Sequence, residues 1–160
     1  MATELGLNAR LMTRDEIHVL IDYFHDSSPE HLETLGVDPT RLPKREAWHQ
    51  RLLEEFSLPL HQRTTVLIAW LLREHVIGFS SADRIVFGDR ANMHLHMIDV
   101  NQRRTGLGTE CVQQSVDIYF EELRLKRLFC EPNAFNVAPN RALQKAGFKY
   151  VKTHMTVPGP

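Results

Sequence analysis

The chain reads as a mixed α/β sandwich built around one sheet, and three observations predict this. Its 160 residues suit one compact domain with a real core. Hydrophobic spacing changes from helical to strand-like at Thr64 and turns helical again after Gly108. The resulting order, β-α-α-β-β-β-α-β-α-β, alternates helices and strands in a way that places helices against a shared sheet. Residues 1–160 are therefore expected to form a single domain.

A first strand is expected around Leu5–Leu11. Thr13-Arg-Asp-Glu16 then reads as a capping box, followed by Ile17, Leu20, Ile21 and Phe24 at helical spacing. Ser27-Ser28-Pro29 ends that helix. A second helix runs from about Lys44 to Phe56, with Trp48, Leu52 and Phe56 four apart, and Leu35–Pro39 reads as an irregular connection of the kind that often holds function. Strands follow at Thr65–Leu72, His75–Ser81 and Arg84–Phe87, the last leading through a Gly88-Asp89-Arg90 turn to Met93–Val100. The next helix carries Val112, Val116, Tyr119, Phe120 and Leu123 on one side. Arg127–Cys130 is a short strand. Asn136 to Ala146 is helical, with Pro139 tolerated in its first turn and Gly147-Phe148 as its stop. Lys149–Val157 is the last strand.

Composition narrows the function classes. Nineteen basic residues against twenty acidic ones leave no broad footprint for nucleic acid or a membrane surface. There is no apolar run near membrane-spanning length and no charged-then-apolar leader, so a cytoplasmic protein is expected. Cys111 and Cys130 lack metal-type spacing and read as reduced, packed thiols.

Residues 94–109, His-Leu-His-Met-Ile-Asp-Val-Asn-Gln-Arg-Arg-Thr-Gly-Leu-Gly-Thr, carry the main functional signal. A strand pattern gives way to two arginines and a Gly-x-Gly turn, and then to a helix. That order presents backbone N–H groups at a positive helix end, where Gly106 and Gly108 do not obstruct them, and suits a phosphate-bearing ligand. A dinucleotide fingerprint would need glycine or alanine where Cys111 stands, although Glu131 follows the next strand at roughly the right distance. A P-loop would need Gly-Lys-Ser/Thr, which is absent. Arg-x-x-Gly-x-Gly is satisfied by Arg103, Gly106 and Gly108.

One strand later come Asn136 and Lys145-x-Gly147-Phe148. Together the two segments resemble the GNAT superfamily of acetyl-CoA-dependent N-acetyltransferases, and the stretch from Pro132 to Phe148 looks most like the ribosomal-protein N-terminal acetyltransferase-like branch. The resemblance covers essentially the whole chain and implies a GNAT-like, mostly antiparallel central sheet flanked by helices. It implies acetyl-CoA as cosubstrate, with no metal, and a small-molecule or peptide amine as acceptor. The amides of Arg103, Arg104, Thr105, Gly106, Leu107, Gly108 and Thr109 would cradle the pyrophosphate. Main-chain groups of Ile98 and Val100 would pair with the pantetheine arm like an added strand. Asn136 would bond the pantetheine or thioester region, or serve as a helix N-cap, or both, and Asn140 is also assigned to the cofactor site.

Acetyl transfer needs a neutral amine. An alkylamine is neutral only about once in two thousand molecules at pH 7, a protein α-amine roughly a tenth of the time. A general base therefore matters most for alkylamines. His94 and His96 alternate on the strand leading into the cofactor loop, share one face and are the candidate bases. A similar alternating pair occurs in arylalkylamine N-acetyltransferases. The alternative is strand packing with one hydrogen bond each, and His-x-His lacks a third metal ligand. The chain departs from the family at the proton donor. Leu143 stands where many members have tyrosine, and Pro139 where the ribosomal-type branch often has serine; Cys130, Asn140 and Tyr150 are the substitutes. The expected walls of the acceptor pocket are Tyr23, Trp48 and the Leu35–Asp38 loop, with core packing as the plain alternative. Members usually have one more strand than the sequence supplies, which motivates the expectation of a homodimer. The rival reading is a non-catalytic acyl-CoA-binding or regulatory module.

Overall fold

A computed structural model of the protein describes residues 6–99, 107–131, 143–144 and 147–148. The elements are β1 (Leu7–Leu11), α1 (Ile17–Asp26), α2 (Pro29–Thr34), α3 (Arg45–Phe56), β2 (Val66–Leu72), β3 (His75–Val86), β4 (Arg90–Met97), α4 (Leu107–Leu123) and β5 (Arg127–Cys130). The strands form one sheet in the order β1-β2-β3-β4-β5. Three pairs are antiparallel and β4–β5 is parallel. The mixed, mostly antiparallel sheet expected from the sequence is present. Among the described residues no helix is long and apolar enough to cross a membrane.

Local signals account for most element ends. The Thr13 amide donates to Glu16 Oε1 at 2.9 Å, the glutamate half of the expected capping box, and a short 3-10 turn, Arg14–Glu16, leads into α1. At the far end of α3, Glu55 Oε1 accepts from the amides of Thr64 (2.6 Å) and Thr65 (2.8 Å) and delivers the chain into β2. Ser27-Ser28-Pro29 does end α1, but it also starts α2. Ser28 Oγ accepts from the His31 amide at 3.1 Å, with Pro29 in the first turn, an N-cap signal that the sequence reading took only as a stop. The expected strand Arg84–Phe87 is not separate: Arg84–Val86 continues β3 through a register shift after Asp83, and Phe87 is already in the turn. The turn at Gly88 is as expected, with φ +80°.

Of the expected helix from Asn136 to Ala146, the described residues Leu143 and Gln144 are helical. The Gly147 amide donates to Gln144 O (3.1 Å) and the Phe148 amide to Leu143 O (3.0 Å), with Gly147 at φ +98°. This is the Schellman stop that Gly147-Phe148 predicts, and Leu143 and Phe148 join the same apolar cluster. The expected strand over Lys149–Val157 lies outside the described residues.

Each face of the sheet has its own core. On one face Val66, Ile68, Trp70 and Met93 pack under Val112, Tyr119 and Leu123 of α4. Cys111 and Ser115 replace the expected Phe120 on the buried side of α4, and Phe120 is 36% exposed. The buried polar groups here are paired: Trp70 Nε1 donates to Ser115 Oγ (2.8 Å), and Ser115 Oγ to Cys111 O (2.8 Å). On the other face Leu67, Ala69, Leu71 and Phe79 pack under Ile17, Leu20 and Ile21 of α1 and Leu52 of α3. Gln114 Oε1 on α4 accepts from the amide of Ala9 at 2.8 Å, so α4 also ties down the outer strand.

The strands approach most closely at Gly78. It pairs with Trp70 on one side and Met97 on the other. A Cβ here would lie 2.5 Å from His96 O and 2.8 Å from Trp70 Cε3, closer than atoms pack. Gly78→Ala is expected to destabilise the fold by about 1–3 kcal/mol through overpacking. Chemical denaturation of the two proteins at neutral pH checks this, with a smaller midpoint and an unchanged slope as the expected result.

Candidate active site

The site forms where β4 leaves the sheet and α4 begins. The β3–β4 ladder runs to Gly78–Met97, whereas the β4–β5 ladder covers Arg90–Met93. Past Met97, the amides of Ile98 and Asp99 both donate to Ile77 O, at 2.8 and 3.0 Å. Two residues opposite one make a bulge, which bends the strand out of the sheet. Ile98 N–H is thus bonded toward β3. Eight residues after Asp99 stands Leu107, the first residue of α4, and the first-turn N–H groups of a helix have no intrahelical partners. Leu107 and Thr109 are half-buried there. Gly108 is different: a Cβ on it would meet nothing within 4 Å. Nothing in the described protein requires a glycine at that position, whereas a ligand lying over the helix end would. Val100, Arg103, Arg104, Thr105, Gly106, Asn136 and Asn140 lie outside the described residues.

The structure brings His94 and His96 onto one face of β4, as alternation predicts, and then gives them opposite environments. His94 Nε2 sits 3.1 Å from Asp83 Oδ1, with both side chains nearly half exposed. His96 stacks on Phe79, its cross-strand partner, at 4.8 Å between ring centroids and 29°. Tyr23 and Phe24 of α1 close in at 5.3 and 5.0 Å. His96 Nδ1 is shielded from solvent and has no hydrogen-bond partner among the described residues. Burial, reinforced by His94 and His31, pushes its pKa down to about 3. An imidazole that acidic cannot hold a proton taken from an amine, so His96 belongs to the packing alternative without the hydrogen bond. Asp83 was missed by the sequence reading, since no local spacing signals a partner eleven residues away across a hairpin.

Tyr23 and Trp48, the expected pocket walls, are part of this packing. Tyr23 OH lies 2.9 Å from His31 Nε2, and Trp48 lies 5.5 Å from Phe24. The proton-donor position is apolar: Leu143 is a core residue, 5% exposed. Cys130 does not replace it. Burial, with Glu131 nearby, pushes that thiol up to about 12, far above the thiolate that it would have to protonate. Cys111 and Cys130 are both free thiols, as expected. Asn140 and Tyr150 lie outside the described residues. Among the described residues no group of three or more His, Cys, Asp or Glu side chains is arranged to hold a metal ion.

The site thus combines one parallel pair beside antiparallel strands, a bulge at the strand end and a glycine-bearing helix start. Residues 7–149 match the family model of the GNAT acetyltransferase domain, so the chain belongs to the GNAT family and is an N-acetyltransferase by class. Solved structures agree in fold. The aminoglycoside acetyltransferase AAC(6')-Ib in complex with ribostamycin and coenzyme A superposes with a TM-score of 0.72 at 21% identity, over 97% of this chain and 89% of that one. Ribosomal-protein-S5-alanine acetyltransferase from Vibrio fischeri gives 0.69 at 20%, over 96% and 87%. Spermidine N-acetyltransferase from Vibrio cholerae, with CoA and spermine, gives 0.70 at 12%, over 96% and 89%. The chain matches no curated protein.

The acidic ring of His96 has a stability consequence. In the unfolded chain it protonates near pH 6.5, while in the fold it stays neutral to about pH 3. Between these values the unfolded state binds more protons, so stability falls as pH falls. From pH 7 to 5 this costs about 1–2 kcal/mol. His96→Leu should remove that loss, so urea unfolding at both pH values should show a smaller acid destabilisation for the variant.

Proposed function

We propose that this protein transfers an acetyl group from acetyl-CoA to a primary amine of a small molecule or a peptide N-terminus. The observation that carries the reading is the junction between β4 and α4, where the strand bends away at Ile98–Asp99 and the helix starts with Gly108 facing open space. In this reading the amides of Arg103 to Thr109 hold the pyrophosphate, and Val100 pairs with the pantetheine arm. Ile98 would join that pairing only by releasing Ile77 O. Asn136 and Asn140 complete the cosubstrate side.

The amine attacks the thioester carbon directly. A C–N bond forms as the C–S bond breaks, and the ammonium proton passes to His94, directly or through water. The thiolate leaves without a protein acid. Near a thiol pKa of 8.5, releasing it at pH 7 costs only about 2 kcal/mol relative to the thiol. The apolar Leu143 is compatible with that route. The same apolar position is what a non-catalytic acyl-CoA-binding module would also have, and the measurements below separate the two.

Acetyl-CoA and CoA are expected to raise the melting temperature, and ATP and NAD to leave it unchanged. Free-thiol release should then appear with amine acceptors; ligand stabilisation without thiol release from any amine would favour the binding module. Because a side chain at position 108 enters open space, Gly108→Val should keep the melting temperature within about 2 °C yet raise KM for acetyl-CoA at least about tenfold through obstruction of the helix end.

A further inference from the structure

The structure assigns Asp83 as the positioning residue for His94, holding the imidazole through Nε2 so that Nδ1 is the nitrogen that accepts the amine proton. This rests on the reading of His94 as the base. The two side chains lie on the same sheet face, because Ser81 pairs with His94 and Asp83 stands two residues further along β3. An ionised carboxylate only accepts hydrogen bonds, so the 3.1 Å contact fixes the proton on Nε2. The lone pair is then on Nδ1. A second feature aims the carboxylate. Directly after Asp83 the register shifts, and Arg84 adopts φ +48°, a left-handed conformation that a non-glycine residue holds only at an energetic cost. Bulges of this sort re-aim side chains beside active sites.

His94 is also held from behind. Ser80 Oγ donates to His94 O at 2.8 Å on the opposite face, and Ser80 Oγ in turn lies 2.9 Å from Tyr119 OH of α4. The main chain and the ring of His94 are therefore fixed by different partners, one on each face. Burial raises the Asp83 carboxyl, but the hydrogen bond and charge of His94, together with Arg84, outweigh it and keep the group below the usual carboxylate range. It stays ionised wherever the enzyme would work. The other titratable neighbours are His96 on β4, Tyr23 on α1 and His31 on α2 around His96, and Tyr119 behind the sheet.

The test is the pH profile of kcat/KM for an alkylamine from pH 5.5 to 9, with the melting temperature of each variant. His94→Ala should lower kcat/KM at least about tenfold and erase the acid limb. Asp83→Asn should retain the fold and lower kcat/KM about tenfold through kcat, with KM for the amine unchanged, because the ring loses the acceptor that fixes its tautomer and orientation. Asp83→Ser provides the same readout where Asn perturbs folding. The double variant should be no worse than His94→Ala alone. An unchanged kcat in both Asp83 variants, with His94→Ala inactive, overturns the positioning role and leaves the base intact. Full activity and an intact limb in His94→Ala overturn the base, and this inference with it.

Discussion

Between Trp70 and Leu71 the β2–β3 register slips by one, and Ile77 is the residue left over. Its carbonyl then accepts two amides from the end of β4, and its neighbour Gly78 is squeezed between Trp70 and the main chain at His96. These facts have a common physical origin. An extra residue in a pleated strand cannot be paired on both sides, so the sheet absorbs it as local twist and bend. The slip moves the β3 side chains before Gly78 to the opposite face from the one that unbroken alternation would give. It also lets Ile77 pack with the α4-side cluster while Phe79 packs with the helices on the other face. The end of the β3–β4 pairing and the division of the core thus both involve Ile77.

The two faces meet their polar obligations differently. Under α4, tryptophan, serine and tyrosine groups are linked in short bonds, which makes that layer a rigid support. Under α1 and α3, an imidazole nitrogen stays unpaired among aromatic rings. An unpaired buried acceptor lowers stability, yet it keeps His96 neutral and uncharged beside His94. His94, by contrast, has a carboxylate beside it that can stabilise its cationic form.

The absence of a tyrosine acid at position 143 shifts the chemical problem toward the amine. A thiolate is a tolerable leaving group near neutral pH, whereas a protonated alkylamine is no nucleophile at all. A histidine beside a carboxylate and a buried leucine at position 143 fit that asymmetry under the proposed reaction.

Periodicity and capping locate β1, α1, α3, β2, α4 and β5, because those signals are local: a 3.6-residue stripe, an alternating run, a Thr-x-x-Glu box; they divide β3 after Ser81 and start β4 at Met93 rather than Arg90, since the register shift after Asp83 interrupts the alternation. The Arg-x-x-Gly-x-Gly pattern and the downstream Asn136 and Lys-x-Gly-Phe pattern were likewise sufficient to recognise the family. What sequence could not rank was His94 against His96. Two residues apart on one strand, they have the same local pattern. Only tertiary packing separates them, by covering one with Phe79, Tyr23 and Phe24 and leaving the other beside Asp83 across the hairpin. The reason is physical. A side chain's proton affinity depends on desolvation and on charges brought near by folding, and neither is written in the spacing of its neighbours along the chain.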